Sequence, residues 1–283
     1  MLHTLLGSLT VSIALFGTGA VFANDSKLGD DVYEPSVGQG GKDVIWVPTP
    51  DSLIKQMLDR ADVQPTDIVY DLGAGDGKIA IAAARDYGAR SYGIEFNPDM
   101  AALATRNAQR QGLADKVTII NGDIFQEDFS EATVVTLYLL PSLNLKLRPT
   151  LLDMKPGTRI VSNSFDMADW EPDDTLGKDY TQGYFWIVPA KVQGTWAIEG
   201  GVELDKAELN LTQQFQNVGG SITIHGETTP LLSAKLSGDN LVFRFTNPAG
   251  KHRVAELKVA GDRMVGNLLE NTSLEEISAS RVK

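Results

Sequence analysis

The 283-residue chain contains no cysteine. That removes disulfides, thiolate-ligated zinc, iron–sulfur clusters and thiolate catalysis together. Histidine is nearly absent: His3, His225 and His252 are the whole set. A Ser–His–Asp triad or a histidine-rich metal centre is therefore excluded from residues 24–224, and no metal site is expected. Basic residues are also in deficit, 25 against 37 acidic ones, for a formal charge of −12. The deficit is uneven. Residues 24–189 hold 26 acidic and 15 basic side chains, whereas residues 190–283 hold 11 and 10. An acidic surface of this kind repels phosphate backbones, so no nucleic-acid partner is expected. A cationic partner suits it.

Long apolar runs are scarce too. One occurs, Leu5–Phe22, so a multi-span membrane protein is a poor reading. Val21-Phe22-Ala23 followed by Asn24 resembles a small-residue cleavage site, and Gly7, Gly17 and Gly19 disfavour a permanent span. Residues 1–23 are thus expected to be a secretory signal peptide cleaved near Ala23. The mature chain would be exported, to the periplasm in a Gram-negative source. Met1–Thr4 lacks the basic residue of an ordinary signal, so an uncleaved anchor stays open, and with it a membrane association. Residues 24–44 are polar and glycine-containing and are expected to be a flexible lead-in.

From residue 45 the sequence alternates strands and helices. Thr49-Pro50-Asp51 reads as an N-cap, a first-turn proline and an acidic first turn. Strands are expected over residues 67–72, 90–95, 116–121, 132–140 and 157–164. Helices are expected after Thr49, over 78–87, and from Asn97-Pro98 to about Gln111, with Gly112 as the stop. This order implies right-handed crossovers and a doubly wound α/β sheet with Rossmann-like character over residues 45–189.

Ligands of such sheets bind outside the carboxyl ends of the strands. The first strand ends in Asp71-Leu72-Gly73-Ala74-Gly75-Asp76-Gly77. Three alternate glycines permit a tight turn and bare-backbone approach. The dinucleotide fingerprint G-x-G-x-x-G is not met, because the third glycine comes one position early. Asp71 and Asp76 beside a pyrophosphate would be repulsive. They suit a cationic, phosphate-free ligand such as S-adenosylmethionine. Glu95, ending the second strand, is placed to accept from both ribose hydroxyls. Asp123 follows the third strand and can accept from the adenine amino group.

These features resemble the class I, seven-β-strand S-adenosylmethionine-dependent methyltransferases. Within them, the chain is similar to the mitochondrial protein-lysine methyltransferases that modify adenine nucleotide translocase and the c-ring protein of ATP synthase. The likeness rests on Val47-Pro48-Thr49-Pro50, Asp71–Lys78, Gly93-Ile94-Glu95-Phe96-Asn97-Pro98, Tyr138-Leu139-Leu140-Pro141 and Phe165–Trp170. It implies cofactor contacts at Asp71, Gly73, Ala74, Gly75, Gly77, Glu95, Phe96, Asp123 and Ile124, with Thr49 near the methionine end. It places the acceptor nitrogen at the end of the fourth strand. Tyr138 and Asp166 are the candidate catalytic groups there, with a core aromatic as the alternative for Tyr138. The Asn/Asp-Pro-Pro-Tyr motif of adenine and glutamine methyltransferases is missing, which counts against those acceptors. A protein lysine or other amine, or a small molecule, remains open as the methyl acceptor.

From about Ala190 the pattern changes to period-two alternation. About eight strands are expected over residues 190–283, forming a small antiparallel all-β barrel or sandwich with room for one ligand. Gly200-Gly201, Gly219-Gly220, Gly238-Asp239 and Gly261-Asp262 are expected to be turns. Trp196 and Phe215 are expected in its core. Because the cofactor is made in the cytoplasm, a second function stays open: an exported ligand-binding protein with a catalytically inactive methyltransferase fold.

Overall fold

The computed structural model describes residues 28–177, 182–204, 206–270 and 273–282. The expected signal segment lies outside them. Among the described residues, no helix is long and apolar enough to cross a membrane, and no acidic or histidine cluster could hold a metal.

The first unit is a seven-stranded sheet in the order β3-β2-β1-β4-β5-β7-β6. The strands are β1 (Ile68–Leu72), β2 (Arg90–Glu95), β3 (Val117–Asn121), β4 (Val134–Leu137), β5 (Arg159–Asn163), β6 (Asp174–Leu176) and β7 (Gly183–Ile187). The first five run parallel, and β7 is inserted antiparallel between β5 and β6. The order reverses between β1 and β4, which is the switch point of a doubly wound sheet. The helices are α1 (Asp51–Arg60), α2 (Lys78–Tyr87), α3 (Pro98–Arg110) and α4 (Pro141–Leu152).

The small residues of α2 let it lie close on the sheet: Ala80, Ala83 and Ala84 are buried. At Gly93 in β2, an added Cβ would meet Ala74 Cβ at 2.7 Å and Ile119 Cδ1 at 2.9 Å, so only glycine fits there. The second face is differently covered. Leu147 and Leu151 of α4 pack there with Phe129, Met167, Trp170 and Trp186.

Several expectations need correction. Thr49 is not the N-cap of α1. Pro50 takes that position in extended conformation, and the Thr49 hydroxyl instead accepts from Asn163 Nδ2 at 3.2 Å. Asn97 does cap α3, its Oδ1 accepting from the Asp99 and Met100 amides. Strands do not alternate with helices throughout: the β3–β4 and β5–β6 connections contain none. Residues 28–44, the described part of the expected flexible lead-in, are not free. They fold back as a strap, with Asp30 bonded to Arg106 and Arg110 of α3.

The chain leaves the first sheet at Val188, and Ala190 and Val192 already belong to a second core. That core lies inside a nine-stranded antiparallel sheet: β8 (Gly194–Gly200), β9 (Glu208–Gln214), β10 (Asn217–Ile224), β11 (Glu227–Pro230), β12 (Leu232–Ser237), β13 (Asn240–Thr246), β14 (His252–Ala260), β15 (Arg263–Glu270) and β16 (Ser273–Arg281). Neighbouring strands are sequence neighbours, except that β16 closes back on β8. The remaining gap lies between β11 and β12, where β10 comes against β12, so the sheet is a nearly closed barrel. Its interior is not the ligand cavity envisaged from the strand count. Trp196, Leu209, Phe243, Phe245 and Met264 are buried there and fill it. His225 and His252 are exposed.

One turn departs from the sequence expectation. Gly219 and Gly220 lie within β10, paired to Thr212 and Leu211. An added Cβ at Gly220 would meet Asn210 O at 1.9 Å, so the glycine serves close strand approach. The turn itself is Phe215-Gln216, with Phe215 at φ 54°. Phe215 is therefore not in the barrel core; it packs on the core of the first sheet.

Candidate active site

A cleft of about 200 Å3 opens over the carboxyl ends of β1, β2, β4 and β5. The β1–α2 glycine loop forms its floor. Gly73, Gly75 and Gly77 all have positive φ, so the loop follows a path that side chains with a Cβ resist. Its amides at Gly73 and Ala74 donate to Ile94 O, which fastens the loop to β2.

Asp71 lines the cleft and is 2% exposed. Among the described residues its hydrogen-bond partner is the Thr136 hydroxyl, which donates to Oδ1 at 2.7 Å. Burial pushes its pKa up to about 7, the Thr136 bond opposes this, and Asp76 and Glu95 add to the rise. Asp76 is also raised, chiefly by burial. The floor thus carries a carboxyl, Asp71, that is only partly ionised at neutral pH and has no basic partner among the described residues. Lys78, the single cationic lining residue, is committed to Asp51 at 2.7 Å.

Glu95 has a second job that the sequence did not disclose. Oε2 accepts from the Gly75 amide at 2.9 Å, and Oε1 accepts from the Asn97 amide at 2.8 Å. The carboxylate holds the loop and the start of α3 while its remaining lone pairs face the cleft. Gly77 packs against Ala104 and helps seat α2 on α3.

The strap forms the opposite wall. Gln39–Gly41 and Val44–Pro48 line the cleft, and Gly40 and Ile45 form an isolated bridge that closes a small hairpin. Trp46 presses onto the glycine loop: a Cβ at Gly75 would lie 2.6 Å from its Nε1. Outside this lining, Lys42 Nζ bonds Asp123 Oδ2 at 2.7 Å and sits 4.7 Å from the Phe96 ring centre. That pair holds the Asp123 carboxyl below, and the Lys42 ammonium above, their ordinary values. Phe96 and Asp123 are the residues expected at the adenine. None of the three lines the cleft itself.

Tyr138, Leu139, Leu140 and Phe165 supply the remaining side. Tyr138 and Phe165 are stacked at 6.5 Å. Asp166 is exposed and outside the lining, and its Oδ1 accepts from the Ala168 amide at 3.1 Å. Ile124 packs into the core below rather than lining the cleft. The structure therefore gathers Thr49, Asp71, Gly73, Ala74, Gly75, Glu95 and Tyr138 around one cleft. It adds Trp46 to the lining, with Thr136 and Asn163 as the buried partners of Asp71 and Thr49, none of them singled out by motif.

A buried carboxylate that accepts from one hydroxyl among the described residues has acceptor capacity left for a cationic ligand, so the cleft fits S-adenosylmethionine. A second, larger depression of about 470 Å3 lies among α1, α2 and α3, away from the strand ends.

Comparison with known proteins agrees. Residues 71–174 match the family described as the ANTKMT methyltransferase domain. A protein-lysine N-methyltransferase of Saccharolobus islandicus (strain REY15A) is 42% identical over 135 residues, 47% of this chain and 84% of that protein. The adenine nucleotide translocase lysine N-methyltransferase of Mus musculus is 31% identical over 111 residues, 39% of this chain and 48% of its own length. A solved RNA methyltransferase from Salinibacter ruber, in complex with S-adenosyl-L-homocysteine, is 49% identical, with TM-score 0.51, over 56% of this chain and 99% of that one. The chain thus belongs to the class I S-adenosylmethionine-dependent methyltransferases, in the family related to the protein-lysine enzymes, and adds a C-terminal β barrel to them.

Proposed function

We propose that this methyltransferase acts on a lysine side chain, or a comparable amine, of a protein. The observation that carries the reading is the charge of the site. Asp71, Asp76 and Glu95 line it against one paired lysine, within a domain already rich in acidic residues. A cationic protein segment is drawn to such a surface, and an RNA backbone is repelled. The 42% identity to a protein-lysine enzyme supports the same acceptor. The Salinibacter ruber RNA methyltransferase favours an RNA acceptor, and the charge balance weighs against it here.

The bound cofactor supplies a methyl group already activated on a sulfonium, so the protein's part is to orient and desolvate. Asp71 and the glycine loop would hold the cationic amino-acid end. Glu95 would accept from the ribose, and Phe96 and Asp123 would meet the adenine in place of Lys42. Thr49, fixed by Asn163, borders the methionine end. Leu139, Leu140 and Phe165 exclude water around the acceptor. A dry wall favours the neutral amine of a lysine, which is the nucleophilic form. The Tyr138 hydroxyl hydrogen-bonds that amine and orients its lone pair.

The test is to incubate the full chain with methyl-labelled S-adenosylmethionine and either poly-L-lysine or bulk transfer RNA. The expected result is label recovered as methyllysine after hydrolysis. Label confined to the RNA would overturn the acceptor assignment. We also propose export, from the apolar Leu5–Phe22 run and the Val-Phe-Ala site. Mass spectrometry of the N-terminus should find Asn24 first, outside the cytoplasm. An intact Met1 peptide in the soluble cytoplasmic fraction would refute it.

A further inference from the structure

The β5–β6 connection, residues 164–173, has no helix of its own. It nevertheless forms the acceptor-side wall, because Phe165 lines the cleft and stacks on Tyr138. An irregular segment holds one conformation only if its neighbours fix it. From α4, Asn144 Nδ2 donates to Phe165 O and Asp166 O at 3.2 Å each, and Arg148 donates to Met167 O at 2.9 Å. The far end is held by the other domain. Trp170 is buried, and its indole Nε1 donates to Gln216 Oε1 at 3.0 Å. Gln216 Nε2 then donates to Glu171 O at 2.7 Å. The Phe215 ring stacks on Trp170, with centroids 6.0 Å apart and planes inclined by 20°. Arg148 lies over the same ring at 5.4 Å.

The turn that makes these contacts is poorly suited to being only a turn. In a two-residue hairpin loop, a positive φ at the first position belongs to glycine, asparagine or aspartate. Here that position is Phe215 at φ 54°. The barrel holds an aromatic residue in a strained conformation and presents it to the first domain. We propose that Phe215 and Gln216 are positioning residues of the methyltransferase: the barrel's β9–β10 hairpin fixes the Phe165–Trp170 wall against which the methyl acceptor is held. The barrel is then a structural part of the acceptor site rather than an appended binding module. This rests on the acceptor lying at the β4 and β5 ends, as in the proposed function.

The test compares the full-length wild type with Phe215→Gly, Gln216→Ala and the double variant. Glycine relieves the turn, so the hairpin itself should stay folded. Hydrogen exchange of residues 165–171 is expected to quicken by about tenfold, while β9 and β10 keep their protection. Affinity for S-adenosylhomocysteine should stay within about twofold, since no cofactor contact is touched. With poly-L-lysine as the probe, KM for the acceptor should rise by about fivefold or more, with KM for S-adenosylmethionine unchanged. Gln216→Glu keeps the acceptor for Trp170 and should recover part of the loss. Unchanged exchange at 165–171 in the double variant would overturn the proposal. So would loosening spread evenly over the barrel, which would make the hairpin a brace of its own domain. If the wild type leaves poly-L-lysine unmodified, the lysine assignment fails, and the exchange data still decide the coupling.

Discussion

Replacing Asp71 by asparagine should make the cofactor-free protein more stable and the cofactor site nearly useless. Asp71 is 2% exposed and its pKa is pushed up from 3.8 to about 7. The folded value lies above the unfolded one. The ionised group therefore opposes folding, increasingly so as pH rises from 3.8 to about 7, and constantly above that. At 1.36 kcal/mol per pH unit, the interval amounts to about 4 kcal/mol at pH 8. Asparagine keeps the acceptor for the Thr136 hydroxyl but buries an amide, which returns about 1–2 kcal/mol of this. The variant should gain about 2–3 kcal/mol at pH 8 by urea unfolding of the apoprotein. At pH 5 the carboxylate penalty falls below about 2 kcal/mol, so the two curves should converge. Affinity for S-adenosylmethionine should drop by about 1.5–3 kcal/mol, the value of a hydrogen bond to a charged group. A variant no more stable than wild type, or a stability difference independent of pH, would refute the burial argument. Unchanged affinity would refute the site.

Glu95→Gln should weaken S-adenosylhomocysteine binding by about 1.5–3 kcal/mol in calorimetry. It should also raise exchange at the Gly75 amide, whose acceptor it disturbs; unchanged affinity in the folded variant would mean that the ribose sits elsewhere. Lys42→Met should tighten cofactor binding measurably in calorimetry, because it removes an exposed ion pair held against Phe96 and Asp123. Weaker binding would instead make Lys42 a contact to the cofactor. A fragment covering residues 24–189 should still bind S-adenosylhomocysteine, since every assigned contact precedes Pro189. A folded fragment without binding would place part of the site on the barrel.

The cofactor half of the site was legible because its chemistry is local. Asp71 through Gly77 is one loop, and Glu95 ends the next strand, so spacing alone places them together. α2 was readable at both ends because Gly77 and Gly88 bound a continuous small-residue run. α4 was not, because the leucines of Pro141–Leu152 recur at every second position rather than at helical spacing and Pro149 lies inside it, so no helical periodicity marks it. The strap over the cleft was hidden for another reason. Its polar, glycine-containing sequence suggests a free segment, and its order comes from Asp30, Lys42 and Trp46 meeting distant residues. The Phe215-Gln216 turn was misplaced because Gly219-Gly220 has the stronger turn chemistry. The tertiary contact with Trp170 overrides that local preference. Asp166 lay in the right segment, but its carboxylate is turned to the Ala168 amide.

A crystal structure of the full chain with S-adenosylhomocysteine tests the cofactor site most directly. The ligand's amino-acid end is expected over Gly73–Gly75 beside Asp71, its ribose hydroxyls within hydrogen-bond distance of Glu95, and its adenine on Phe96 with Lys42 displaced from Asp123. A ligand seated in the groove among α1, α2 and α3, or a cleft unchanged with Lys42 still across Phe96, would contradict the assignment.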